Sequence, residues 1–358
     1  MLRFLARRVL TMVVTALCLT FLVFWLTNLA PNLEKVAKSE AGSRITDADV
    51  ASWLEKNGYD RPIVVRYGEW LGVVPGWTRQ NETDPSAPAW TGRCIGPGQS
   101  AVAAEGLEVA PRYCGVLQGE WGESRVFRND VASVIGRALA LTGKLMFFVL
   151  LVMVPGALLM GILAGMREGS RTDRVLSTAS IAITATPEYV SGVVFIAVFT
   201  SSAVGLKWFN GSATSAMEDA TFVNFTLPVL TVALYAMGYV ARMTRASMTE
   251  VMTAQYIRTA RLKGVSFPQV VLRHALRNAL IAPFTVIMLQ IPWLLTGVVI
   301  VESLFNYKGF GWTLVEAAGN NDVDLLLGIS VVSVLVVLVT QLISDLGYVY
   351  LNPRIRLS

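Results

Sequence analysis

Two carboxylates, a pair of cysteines and a run of cations are the residues of this chain whose type and position could do chemistry. Glu188 follows Pro187 inside an apolar stretch, where a charge costs on the order of 2.5 to 3.5 kcal/mol on insertion scales. Something must compensate for it: the carboxylate either faces a solute pathway and meets amino groups or water, or makes a structural hydrogen bond to a neighbouring helix. Glu302 closes another apolar stretch, and its plainest role is that of a helix-end carboxylate. Cys94 and Cys114 stand apart from Cys18 in a polar segment. A disulfide between them would close a loop of about 20 residues and contribute roughly 3 kcal/mol in the chain-entropy model. His274 is the sole histidine, so zinc ligation and triad chemistry both want partners. The motifs G-x-S-x-G, H-E-x-x-H and G-x-x-x-x-G-K-[ST] are all absent from the sequence, which disfavours a membrane protease or a chain that binds nucleotide itself.

The cations concentrate in one place. Arg242, Arg245, Arg258, Arg261, Lys263, Arg273 and Arg277 face a single acid, Glu250, in a segment flanked by apolar runs. The spacing predicts a helix over 246–263, with Met248, Val251, Met252 and Ile257 on one face and Arg258 with Arg261 on another. Gly264 then supplies a left-handed stop, Ser266 a candidate N-cap and Pro268 a residue suited to the next first turn. On the residues alone, this helix-Gly-helix elbow is equally a rigid knob for a partner protein and an amphipathic element for anionic lipid.

The elements that must hold these residues follow from composition. The chain of 358 residues is 54% hydrophobic and only 15% charged, more apolar surface than one soluble core hides. Six stretches approach the ~20 apolar residues that a helical span requires: 9–30, 145–166, 175–201, 225–241, 279–301 and 325–350. The fourth is the shortest. Arg3, Arg7 and Arg8, then Arg167, Arg171 and Arg174, then the elbow cations, then Arg354 and Arg356 all fall on one side of such a topology. The positive-inside rule makes that side cytoplasmic, together with both termini. The first stretch is read as a retained helix, since its apolar run is long and no clear cleavage site follows. The expected division is 1–30 as terminus and first helix, 31–138 as an extracytoplasmic domain and 139–358 as a membrane core with a basic cytoplasmic loop at 242–278. Pro155, Pro187, Pro228, Pro283 and Pro292 within the spans suggest kinks. Lys144 is expected to snorkel at the outer end of the second span, and Asp345, deep in the sixth, to pair with a basic residue.

Several runs resemble one family. Tyr256-x-Arg258-Thr259-Ala260-Arg261-x-Lys263-Gly264, continued by Arg273-His274-Ala275-Leu276-Arg277-Asn278-Ala279-Leu280 and Pro283, is similar to the coupling loop of binding-protein-dependent ABC importer permeases, in particular the B-type subunit of dipeptide and oligopeptide systems. Matches continue at 2–30, at 58–71, from Val301-Glu302-Ser303-Leu304-Phe305 to Gly311, and from Asp345 to Arg356. The resemblance implies an all-α membrane protein with six transmembrane helices and the type I importer permease fold, here with an enlarged domain between helices 1 and 2. It implies a bacterial inner membrane location and half of a translocation pathway for peptides, or for another small solute such as a nickel complex or glutathione. An ion channel is the rival outside this class; it would need a selectivity-filter-like loop. Implied partners are a homologous second permease, cytoplasmic ATP-binding subunits that carry the ATP and Mg2+, and an extracytoplasmic solute-binding protein. Tyr256, Arg258, Thr259, Ala260, Arg261, Lys263 and Gly264 would contact the ATPase, with Thr259, Ala260 and Gly264 as the close-packed knob. Glu302 would open the re-entrant segment at the outer gate. Three departures stand out: Arg258 replaces the leading Glu of the general importer motif, as is usual in the peptide branch; Asn352 stands where the branch more often has Asp before Pro-Arg; and the segment from about 74 to 113 is longer than this branch leads one to expect.

Overall fold

Among the described residues, four helices are long and apolar enough to cross a bilayer, and two bent helix pairs raise the number to six if each pair makes one span. This is read from a computed structural model that describes residues 2–42, 45–81, 89–95, 112–202 and 206–351. The chain divides into two compact units: residues 1–10, 136–315 and 335–358 form one, and residues 11–135 with 316–334 form the other.

The second unit holds most of α1 (Leu2–Thr27), then α2 (Ala30–Ala41), α3 (Asp47–Lys56) and α4 (Ile63–Leu71). Thr46 starts α3 with a full capping box: its hydroxyl accepts from the Asp49 amide while the Asp49 carboxylate accepts from the Thr46 amide at 3.0 Å. That pairing holds the Asp49 carboxyl below the usual carboxylate range. Phe24, Trp70, Leu327 and Val331 make a small core here, beside which Arg66 is buried, donating to Asn28 and lying over the Tyr59 ring. Removal from water pulls the Arg66 guanidinium below its ordinary range. An antiparallel ribbon of β1 (Thr78–Asn81) and β2 (Ala89–Gly92) follows, and a disulfide joins Cys94 to Cys114. The rest of the long segment expected from about 74 to 113, at 82–88 and 96–111, lies outside the described residues, as does the tail from Asn352 to Arg356. A two-residue ribbon, β3 (Glu123–Ser124) with β4 (Asn129–Asp130), completes the unit. The Asp322 carboxylate accepts from the Ser124 hydroxyl at 2.7 Å, the Val126 amide at 3.1 Å and the Leu325 amide at 3.2 Å.

The first unit is a helical bundle around α8 (Phe222–Thr253). A Thr221–Asn224 capping box starts this helix, and Pro228 is carried inside it. α8 runs well beyond the expected 225–241 and packs on α6 (Arg171–Ala185), α7 (Glu188–Phe199) and α12 (Ile281–Leu304). α5 (Val131–Gly165) encloses Pro155. The third expected span is not continuous: α6 and α7 meet at 100°, with Thr186 extended and Pro187 preceding the first residue of α7. Proline disfavours helical geometry in the residue before it, which accounts for the break at that place. Pro292 sits within α12, whereas Pro283 lies in its first turn, where the missing N–H leaves no bond unmade. Beyond α12 come α13 (Phe310–Gly319) and α14 (Val323–Leu351). The core gathers Leu145, Met153, Leu227, Val240, Leu294 and Phe305 among others.

Candidate functional site

The elbow begins where α8 stops. No glycine or proline marks the place, yet Ala254 turns extended (φ −64°, ψ 147°) and α9 (Gln255–Leu262) sets off on a new axis. The expected continuous helix over 246–263 is therefore two helices. α9 ends in a Schellman turn: Gly264 at φ 79° donates to the Arg261 carbonyl at 3.0 Å, and Val265 donates to the Ala260 carbonyl at 3.2 Å. Ser266 occupies the following N-cap position, but its side chain makes no capping bond. The return path is α10 (Phe267–Gln269), a π-helical turn at Val270–Ala275 and α11 (Leu276–Ala279). It meets α12 at a bend of 49°.

A private core holds the elbow rigid. Met248 at the end of α8, Ile257 and Ala260 of α9, and Val270, Val271, Ala275 and Ala279 of the return path are all buried together. Asn278 donates to the Tyr256 hydroxyl at 2.9 Å, and the Ser247 hydroxyl donates to the Ala279 carbonyl at 2.8 Å. Of the residues the resemblance singles out, Tyr256, Arg258, Thr259, Arg261, Lys263 and Gly264 are exposed. Ala260 is only 8% exposed and belongs to the private core. Leu262, which the motif leaves unspecified, is 80% exposed among these cations. His274 is also exposed, within the π turn.

Two links join the elbow end of α8 to the α5–α6 turn. Arg167 and Arg261 both lie over the Phe267 ring, at 5.2 and 5.9 Å from its centre. Arg245 grips Asp173 with two bonds, Nε to Oδ1 at 2.5 Å and a terminal nitrogen to Oδ2 at 2.9 Å. Asp173 is 3% exposed and accepts further from the Ser177 hydroxyl at 3.0 Å and the Gly169 amide at 2.8 Å. Neither partner stands out in the sequence, since the pair spans 72 residues. Ser170 and Asp173, spaced as an N-cap and its third residue, were the available signal for the helix start.

At the opposite end of α8 the polar groups close on themselves. Glu302 is 1% exposed; it accepts from the Thr142 hydroxyl at 2.5 Å and from the Trp312 amide at 2.9 Å. Thr142 in turn accepts from the Phe310 amide at 2.7 Å. Glu302 and Thr142 together cap the first turn of α13, satisfying amides that a helix start leaves open. A Cβ on Gly309 would come within 2.1 Å of the Glu302 Oε1, so only glycine lets the turn pass. Tyr307 donates to the Leu141 carbonyl at 2.9 Å, and Lys144 donates to the Ala216 carbonyl at 3.0 Å. Glu188 is 8% exposed at the α6–α7 break, and among the described residues its Oε2 has no hydrogen-bond partner. Asp345 pairs with Arg8 at 2.7 Å.

Long apolar helices, interrupted by two bent pairs, define an integral membrane protein. Residues 157–357 match the family model for the binding-protein-dependent transport system inner membrane component, and residues 1–99 match the model of its N-terminal region. The chain belongs to this family, and it is a membrane transport subunit of the inner membrane. A dipeptide transport system permease protein of Haemophilus influenzae is 30% identical over 263 residues, covering 67% of this chain and 78% of that one. An oligopeptide transport system permease protein of Mycobacterium tuberculosis is 29% identical over 371 residues, with both chains covered completely. Its counterpart in Bacillus subtilis is 28% identical over 359 residues and 99% of each chain. Among solved structures, an amino acid ABC transporter aligns over 61% of this chain and 94% of its own at 16% identity and TM-score 0.46.

Proposed function

We propose that this chain is the permease subunit of an ATP-driven importer and forms half of the translocation pathway for di- or oligopeptides delivered by an extracytoplasmic binding protein. The observation that carries this reading is the end-to-end match to permeases named for dipeptide and oligopeptide transport. A homologous second permease supplies the other half of the path, and partner subunits bind ATP and Mg2+. Each bent pair counts as one span, giving six, with 1–30, 31–138 and 139–358 as terminus with first helix, extracytoplasmic domain and permease core.

Both termini are cytoplasmic in this reading. Charge supports it, and so do two contacts: Arg8 near the start pairs with Asp345 near the end, and Arg167 of one basic loop covers Phe267 of the other. The elbow at 242–278 then faces the ATPase. Tyr256, Arg258, Thr259, Arg261, Lys263 and Gly264 form the docking face around Leu262, an apolar centre with a polar rim of the kind protein contacts use. Ala260 serves the same face from beneath by keeping α9 close to its core. Glu188 is the pathway carboxylate; Glu302 acts at the outer gate by holding α13. The segment stapled by Cys94 and Cys114 docks the binding protein. Purification of the detergent-solubilised complex tests the whole scheme: an ATP-binding subunit should co-purify, labelled peptides should enter proteoliposomes that contain ATP, and Gly264→Trp should abolish both. A permease that brings down no such subunit, and still transports as Gly264→Trp, would refute it.

A further inference from the structure

We propose that the Asp173–Arg245 pair is the strut that carries movement of the elbow into α6, and so to the α6–α7 joint at which Glu188 sits. This rests on the importer reading above. α8 is unbroken from Phe222 to Thr253, and Arg245 stands about two turns before its end. The elbow is packed onto that same end through Met248, so a force on α9 reaches Arg245 through rigid helix.

The pair is built to transmit that force without slack. A guanidinium holding a carboxylate by two parallel bonds fixes direction as well as distance, which a lysine would not. The acid has no freedom left: its four bonds use both oxygens, and two of them reach Gly169 in the turn and Ser177 one turn further along α6. Movement of Arg245 therefore takes the N-terminus of α6 with it. Further along, α6 lies so close to α8 that a Cβ on Gly238 would meet the Ser180 carbonyl at 2.8 Å. The far end of α6 is the 100° break, where the next helix opens on Glu188 with a buried oxygen that no group among the described residues satisfies. A joint with an unmet polar atom is easier to displace than the saturated anchor at the other end of the helix.

The test uses the assembled transporter in proteoliposomes, with its ATPase subunits and binding protein. ATP hydrolysis and uptake of an isotopically labelled mixture of di- and tripeptides are measured on the same sample. Asp173→Asn and Arg245→Met should retain the ATPase subunits and hydrolysis while uptake per ATP falls about 3- to 30-fold. Arg245→Lys keeps the charge and should fall between these variants and wild type, which keeps the test open should the others fold poorly. The double variant should be no worse than either single one. Unchanged uptake per ATP in all variants would overturn the strut, as would loss of the ATPase subunits in proportion to uptake, which marks a merely structural anchor. A wild-type complex that hydrolyses no ATP or takes up no peptide would instead remove the importer reading, and the strut with it.

Discussion

Thr142→Val separates hydrogen bonding from packing at the start of α13. The threonine hydroxyl is at once donor to Glu302 and acceptor from the Phe310 amide, and valine replaces it with a methyl of nearly the same size. The substitution leaves one buried carboxylate oxygen short of a donor and one amide without an acceptor. At ~1–3 kcal/mol for each group left unmade, discounted because the turn can relax, the local cost is about 2–4 kcal/mol. Thr142→Ser keeps both bonds and loses one methyl, about 1 kcal/mol. Because each 1.4 kcal/mol is about tenfold in an opening equilibrium, amide hydrogen exchange across 305–319 should quicken roughly 30- to 1,000-fold in the valine variant. In the serine variant it should quicken less than about tenfold. Glu302→Gln should fall between, since its amide nitrogen cannot accept from the Trp312 amide as the carboxylate does. Faster exchange in Thr142→Ser, which loses the methyl, than in Thr142→Val, which keeps it, would show that methyl packing, and not the carboxylate cap, holds this turn.

Two glycines should respond for opposite reasons: Gly264→Ala has open space around its Cβ but a positive φ, costing about 1–2 kcal/mol of local stability, with Gly264→Asn milder. Gly309→Ala meets Glu302 and Thr142 instead, at about 1–3 kcal/mol from overpacking, and the same exchange experiment reads both. Replacing Cys94 and Cys114 by serine should lower stability by about 3 kcal/mol, read as an earlier thermal transition that reducing agent no longer shifts. Asp49 should titrate below an ordinary aspartate when followed by carboxyl carbon NMR, and should move part of the way back in Thr46→Val, which removes the hydroxyl but keeps the backbone amide donor. Since its folded pKa is depressed, the stabilisation is present above the ordinary value and lost as pH falls through the lowered one.

What the sequence disclosed depended on whether the deciding interaction was local. Gly264 and Pro268 announce the elbow because a left-handed stop and a proline-tolerant first turn depend on one residue each. The break at Ala254 carries no such mark. Thr253, Ala254 and Gln255 all accept helix, and burial of Ile257 and Ala260 against the return path redirects the chain. Thr186-Pro187 did signal, as a kink, though not a turn of 100°. Glu188 was legible as a costly carboxylate and Glu302 as a helix-end one, but their surroundings were not. The donors to Glu302 come from a threonine 160 residues earlier and an amide ten residues later. Asp173 and Arg245 passed as ordinary charges because nothing in linear spacing distinguishes a bidentate grip from a solvated ion.

The reach of Asp322 bears on how the molecule is made. Its carboxylate binds Ser124 and Val126, nearly two hundred positions earlier, within a unit whose two pieces are residues 11–135 and 316–334. During synthesis the first piece emerges early and has to wait for the second, through the insertion of every helix between them. Closing so long a loop is slow by nature, and until then Trp70 and Phe24 lack the Leu327 and Val331 that bury them. A nascent chain interrupted before residue 316 would therefore be defective in its first third as well as at its end. Quality control acting on that exposed early segment would be sensing whether the last helix has arrived.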